Sequence, residues 1–204
     1  MVTAPSERYV YDLTGGRVCL DFANTVSYRG SENSTDHLRS YGDLIAFGDQ
    51  TGIVSPAVAR ELAKQAAAHP AAARDALARA LAAREALFRI FVAIAASRRP
   101  RPADLALLND HVPAAFARGH LAAARDRFVL QVEPAPDNLL SLLAPIVKSA
   151  VDLLSADEVV RVRACAAPTC DWLFIDTTKN HTRRWCDMKI CGNRAKVQRF
   201  RSRS

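Results

Sequence analysis

Four of the five cysteines in the chain fall near its C-terminal end, at Cys165, Cys170, Cys186 and Cys191. They form two C-x4-C pairs separated by fifteen residues. A short pair presents two thiolates from one turn, and two such pairs complete a tetrahedron around one metal ion. No hydrophobic pattern constrains this segment as tightly. Four thiolates leave no coordination position for water or substrate, so the expected cofactor is one structural Zn2+ per chain. In an isolated peptide such a site is worth roughly 10 kcal/mol or more, enough to fold a segment too small to own a core. Between the pairs, the run WLFID reads as a strand, and Trp172, Phe174 and Trp185 are expected to build a small core around the metal. Base stacking is the alternative use of these rings. His181 is read as solvent-facing or phosphate-contacting, since four cysteines already complete the ligand set.

The net charge of +7 is unevenly placed. Residues 161–204 carry eleven Lys/Arg against three Asp/Glu, whereas residues 1–160 carry seventeen against eighteen. A near-neutral body with a basic end attached to a metal site points to a nucleic-acid partner. If Asp187 caps the terminal helix, Cys191 falls in its first turn and the metal anchors it. Gly192 beside the ligand lets the backbone pass close to the cage or to the preceding knuckle. Val197 and Phe200, three apart, are expected to seat that helix on the module. Arg194, Lys196, Arg199, Arg201 and Arg203 then remain for a partner, with Arg183 and Arg184 adding to the same patch. Phosphates attract such a surface without regard to sequence. Asn193 and Arg194 are best placed to reach a base edge, or equally to hold the knuckle by hydrogen bonds.

The rest of the chain reads as mainly α. Its 50% apolar content is enough for a core of its own. No stretch approaches the ~20 apolar residues of a membrane span, and Arg89 interrupts the most apolar window, Leu87 to Ala96. The N-terminus lacks the layout of a secretory signal, so paired cysteines in the cytoplasm favour metal over disulfides. The run RVCLDFANTV fits both a strand and a helix; the set Val18, Cys19, Phe22, Ala23 and Val26 persists longer and selects helix. Residues 27–41 look like loop. Asp43 caps a short helix ended by Gly48 and Gly52. Ser55-Pro56 starts a helix that runs to about Ala68. Ala71 to Ser97 forms the longest helix, with Leu77, Leu81, Leu87, Phe88, Phe91 and Ile94 on one side, and RRPRP at 98–102 breaks it. Pro102 opens another that ends near Gly119. RFVLQVE at 127–133 is the best strand of the body, paired with Leu121 to Arg125. Asp137 caps an apolar helix from about Asn138 to Ser155, which Pro145 should kink or split. The expected organisation is a helical domain with a small β-hairpin over 1–156. An α+β zinc finger follows over 157–204, built from two cysteine knuckles, short strands and a basic helix.

C-x4-C followed by W-C-x4-C-G-N-R and a basic helix resembles the CGNR-type zinc finger of a bacterial family. GGRVCLDFANTV resembles the start of the helical domain, ABATE, that precedes that finger. The resemblance implies zinc at the four cysteines and DNA contact from the helix after Cys191, in a stress-related transcription regulator. The choice of double-stranded DNA over RNA, or over a ribosome-associated role, rests on it. The 160-residue body then awaits a role, as a sensor of a small molecule or as a homodimer interface. Asp21, Asn24 and Thr25 beside an apolar stretch are candidates for lining a ligand pocket, or for satisfying backbone at a helix–loop junction. Cys19 reads as a buried small apolar residue. No nucleophile elbow, phosphate loop or H-E-x-x-H pattern points to an enzyme.

Overall fold

The computed structural model describes residues 9–29 and 31–201, with the backbone alone for 198–201. Seven α-helices lie among them: α1 Val18–Ala23, α2 Tyr41–Thr51, α3 Pro56–Ala68, α4 Pro70–Ala95, α5 Pro102–Phe116, α6 Leu143–Leu154 and α7 Asn193–Arg201. Three two-stranded antiparallel ladders accompany them. They are β1 (Val26–Ser27) with β2 (Thr35–Asp36), β3 (His120–Ala124) with β4 (Arg127–Gln131), and β5 (Val162–Ala164) with β6 (Leu173–Ile175). The mainly α class with a C-terminal α+β module is therefore as the sequence indicated.

Local signals account for most boundaries. Ser55 caps α3 by accepting the Val58 N–H at 3.3 Å, with Pro56 at the first helical position. α2 is capped by Ser40 rather than Asp43. The Ser40 hydroxyl accepts from Asp43 N, while Asp43 Oδ2 accepts from Ser40 N at 2.8 Å, so Asp43 is the return partner of a capping box. Nor does Gly48 end this helix, which continues to a left-handed Gly52. A Cβ on Gly48 would lie 3.0 Å from Val54 Cγ1, and the close return of the chain after α2 explains the residue. The segment read as one helix from Asn138 divides into a 3-10 turn over Leu139–Leu142 and then α6. Asn138, not Asp137, caps the turn through the Leu140 N–H. Pro145 falls in the first turn of α6, where its missing N–H breaks no helical bond.

The central layer is α1, a six-residue helix whose Cys19, Leu20, Phe22 and Ala23 are fully buried between α4 and α6. The buried stripe of α4 differs from the expected leucine face. Ala73, Ala76, Ala80 and Ala83 lead into Leu87, Ile90 and Phe91, while Leu77, Leu81, Phe88 and Ile94 flank it half-buried. Small side chains let α1, α2 and α3 approach the α4 axis closely. Buried among these elements, Arg84 clasps Asp36 through two hydrogen bonds of 2.7 Å and reaches Thr25 Oγ1 at 3.2 Å. It ties the β1–β2 ladder to α4.

The body and the cysteine segment share a core. Side chains alternate along a strand, and in β6 Leu173 and Ile175 join the body cluster while Phe174 joins the cysteine cluster. Asn24, the C-cap of α1, holds β6 from the side. Its Nδ2 donates to Leu173 O and its Oδ1 accepts Leu173 N, both at 2.8 Å. Ile175 N donates to Gly15 O at 3.0 Å, and the Trp172 indole N–H donates to Val26 O at 3.0 Å. Replacing Asn24 by leucine keeps its bulk but strands two buried backbone groups. We expect Asn24→Leu to lower unfolding free energy by about 3 kcal/mol in urea denaturation. Helical and tryptophan signals should still lose structure in one coincident transition.

Candidate functional site

Two turns present the four sulfurs. Cys165 leaves β5 with its N–H on Trp172 O at 2.8 Å, and Cys170 N closes a turn onto Ala167 O at 3.0 Å. On the other side, Asp187 Oδ1 accepts the N–H groups of Lys189 (2.6 Å) and Ile190 (2.9 Å). This cap starts a single π-type turn, Met188–Gly192, that carries Cys191 into α7. Asp187 thus has the capping role expected of it. Of the two neighbours expected for Gly192, the cage and the preceding knuckle, the close one is in the knuckle: a Cβ there would fall 2.7 Å from Met188 Sδ, so the glycine makes room for Met188.

All four sulfurs lie within 4.8 Å of one another, and Cys170–Cys186 and Cys186–Cys191 are each 3.6 Å apart. Thiolates at ~2.3 Å from one tetrahedral zinc stand about 3.8 Å apart, so the cluster has the dimensions of a four-thiolate zinc site. Its electrostatics also call for a cation. Hydrogen bonds from Cys170 and Cys186 favour a thiolate on Cys165, and the same bonds push Cys170 and Cys186 upward. Burial raises Cys191. One negative charge therefore discourages the next, and a divalent ion relieves all four. When bound, zinc would supply a fixed cross-link between the two turns. Cys19, by contrast, is fully buried against Ser149, and burial pushes its thiol up to about 12.

The basic residues divide by what they touch. Arg183 is a strut: its Nε donates to Trp185 O at 2.9 Å, its Nη2 to Cys186 O, and its guanidinium lies 4.4 Å from the Phe174 ring centre. Asn193 Nδ2 donates to Lys189 O at 2.8 Å and so holds the second knuckle. Arg194 sits 5.8 Å from the Tyr28 ring centre. Arg184 and Lys196 are exposed, as is Lys189, which sequence reasoning did not single out. Arg199 and Arg201 belong to α7, and Arg203 lies outside the described residues. Val197 does not seat α7, being 51% exposed. His181 is exposed on a loop organised by the buried Asp176, which accepts from Thr178 N, Thr178 Oγ1 and Arg183 N. Asp176 is a second residue that the sequence reading passed over, although the D-T-T run is a signal for an Asx turn.

Asp21 and Asn24 both satisfy backbone groups, the second of the two roles expected of them. Asp21 Oδ1 accepts the Gly15 N–H at 2.7 Å, and Asn24 is occupied by Leu173. Neither lines the cavity of about 320 Å3 that lies beside the cysteine cluster.

Residues 16–157 match the ABATE family, described as "Putative stress-induced transcription regulator". The chain belongs to this family. Residues 161–204 match the CGNR zinc finger. In this ABATE chain the match boundaries meet at the 3-10 turn Asp157–Arg161, which runs directly into β5. No curated protein matches the chain. No helix among the described residues is long and apolar enough to cross a membrane.

Two measurements check the site. Cys170→Ser should bring zinc well below one ion per chain by emission spectrometry, while Cys19→Ala leaves the content at one. The second concerns Asp21, whose pKa burial raises from 3.8 to about 6. The native state then binds this proton more tightly than the unfolded chain, so its contribution to stability is full below about pH 4 and is lost as pH rises through about 6. Asp21→Asn keeps an oxygen acceptor for Gly15 and removes that loss. It should be about 2–3 kcal/mol more stable than wild type at pH 7, with the difference vanishing near pH 4.

Proposed function

We propose that this protein is a cytoplasmic DNA-binding transcriptional regulator. In this reading the zinc module contacts duplex DNA, and the helical body, in keeping with the family's description, sets when it does so. The observation that carries the reading is the division among the finger's polar and basic residues. Arg183 and Asn193 are committed to holding the knuckles. Arg184, Lys189 and Lys196 stand exposed on the same rigid module, and the sequence continues with Arg199, Arg201 and Arg203. Side chains of this kind neutralise phosphates, while the metal and shared core fix their spacing. The closed set of four thiolates argues against a catalytic metal, which needs an open position.

Base stacking, which an RNA-binding role would use, has less support. The Trp172 indole is half-buried against the cysteine cluster with its N–H on Val26 O. A single short helix covers few base pairs, so recognition of a defined operator calls for two chains acting together.

Changing Arg184, Lys189 and Lys196 together to alanine should weaken duplex binding and flatten its dependence on salt by about two to three units of slope. Fluorescence anisotropy at several salt concentrations reads both, with zinc content unchanged. Unaltered affinity would remove this face as the contact surface. Tighter binding to RNA than to duplex DNA of matching length would favour the RNA role.

A further inference from the structure

The cavity beside the cysteine cluster has no part in the nucleic-acid reading, and its walls come from both halves of the chain. Its volume of about 320 Å3 lies within the usual range for small-molecule sites. Tyr9 and Tyr28 line it from the N-terminal segment and Trp172 from the finger. Tyr9 is fixed by stacking on His37, with ring centres 3.8 Å apart and planes within 9°. Tyr28 holds a left-handed φ of 55°, a conformation that non-glycine residues rarely adopt. Trp172 has its one polar atom occupied by Val26 O, so its contribution to the wall is apolar.

The charge at this lining is mainly negative. Asp12 stands at the wall, close enough for its field to act on both Tyr9 and His37. Three of the cysteines also line it. Four thiolates outweigh one divalent ion by two charges. Among the cavity's described lining residues Arg194 is the one arginine or lysine, and it is already engaged by Tyr28 and by the nearby sulfurs. Thr14, also in the lining, has a buried Oγ1 with no hydrogen-bond partner among the described residues.

Aromatic faces combined with surplus negative charge recognise organic cations, through the ring quadrupole and a nearby carboxylate. We propose that the junction cavity binds a small organic cation, a protonated or quaternary amine carrying an apolar body. Such a ligand competes with the Arg194 guanidinium for the face of Tyr28. Arg194 lies at the start of α7, so occupancy is transmitted to the basic helix. That consequence rests on the nucleic-acid reading; the binding itself does not.

The test is calorimetric titration of the zinc-loaded full chain with three probes of similar size: benzyltrimethylammonium, neutral benzyl alcohol and anionic phenylacetate. The cation should bind one per chain, about tenfold tighter than either of the others. Asp12→Asn and Tyr9→Leu should each weaken it by about threefold or more without changing zinc content. Thr35→Trp, a substitution at an exposed wall position, should block it. Equal binding of all three probes, tighter binding of phenylacetate, no heat from any of them, or cation affinity unmoved in all the variants would each overturn the proposal. Nucleic acid is absent from the experiment, so its failure leaves the DNA reading standing. Loss of duplex binding in the Arg184, Lys189 and Lys196 variant likewise leaves the cavity untouched.

Discussion

The two-faced strand β6 is the constraint on which the rest of this structure depends. Three residues serve two cores at once: Leu173 and Ile175 complete the helical body, and Phe174 completes the cysteine cluster. A strand so short has little stability of its own. It persists because β5 pairs one edge while Asn24 and Gly15 supply backbone partners from α1 and the turn before it. The finger is therefore not suspended from the body by a linker. Its orientation is set by the same packing that buries α1, and any change in α1 is felt at the first pair of cysteines.

This arrangement explains why the finger's polar residues divide as they do. A metal cross-link fixes four sulfurs but leaves the chain between them to find its own shape. Arg183 supplies that shape by bonding two carbonyls and covering Phe174, and Asp176 does so by gathering the loop before it. Arginine suits the strut role because its planar fork reaches two carbonyls while its face lies on a ring. A charge count alone treats Arg183 and Arg184 alike, yet the first is held by three contacts and the second is exposed.

What was legible in the sequence follows from the range of the interactions involved. Ser55-Pro56, the β3–β4 hairpin and the Asp187 cap are local, written within a few residues, and they appear where they were expected. The cysteine spacing is local too, so the ligand cluster could be read before any fold was known. Long-range commitments could not. Asn24 could be read either as a pocket residue or as a backbone partner, because nothing nearby in sequence shows Leu173 across 149 positions. Alanines dominate the buried face of α4 because other helices approach it closely, and a hydrophobicity pattern favours the leucines beside them. Arg84, a buried cation, is intelligible only once Asp36 and Thr25 are brought to it. The caps misassigned by one to three residues, Ser40 against Asp43 and Asn138 against Asp137, involve neighbouring groups that could all accept the same N–H bonds. The chain's exit from the preceding segment chooses between them.

The N-terminal segment, which carries no recognisable chemistry in sequence, gains meaning from the same shared core. Gly15 donates its N–H to Asp21 and accepts from Ile175, so the segment crosses from body to finger in a single residue. A Cβ at Gly15 would lie 2.8 Å from Leu20 Cβ, and only glycine permits that crossing. On one side of it Tyr11 packs against Phe47 in the body, and on the other Arg17 pairs with Glu158 ahead of β5. In the regulatory reading, a signal between the helical domain and the basic helix would need no moving linker. A small shift of α1, of Tyr28 or of β6 alters contacts on both sides, since each already belongs to both. The residues that couple the two halves are those that build their common core, and this is why they resembled structural residues when read one by one.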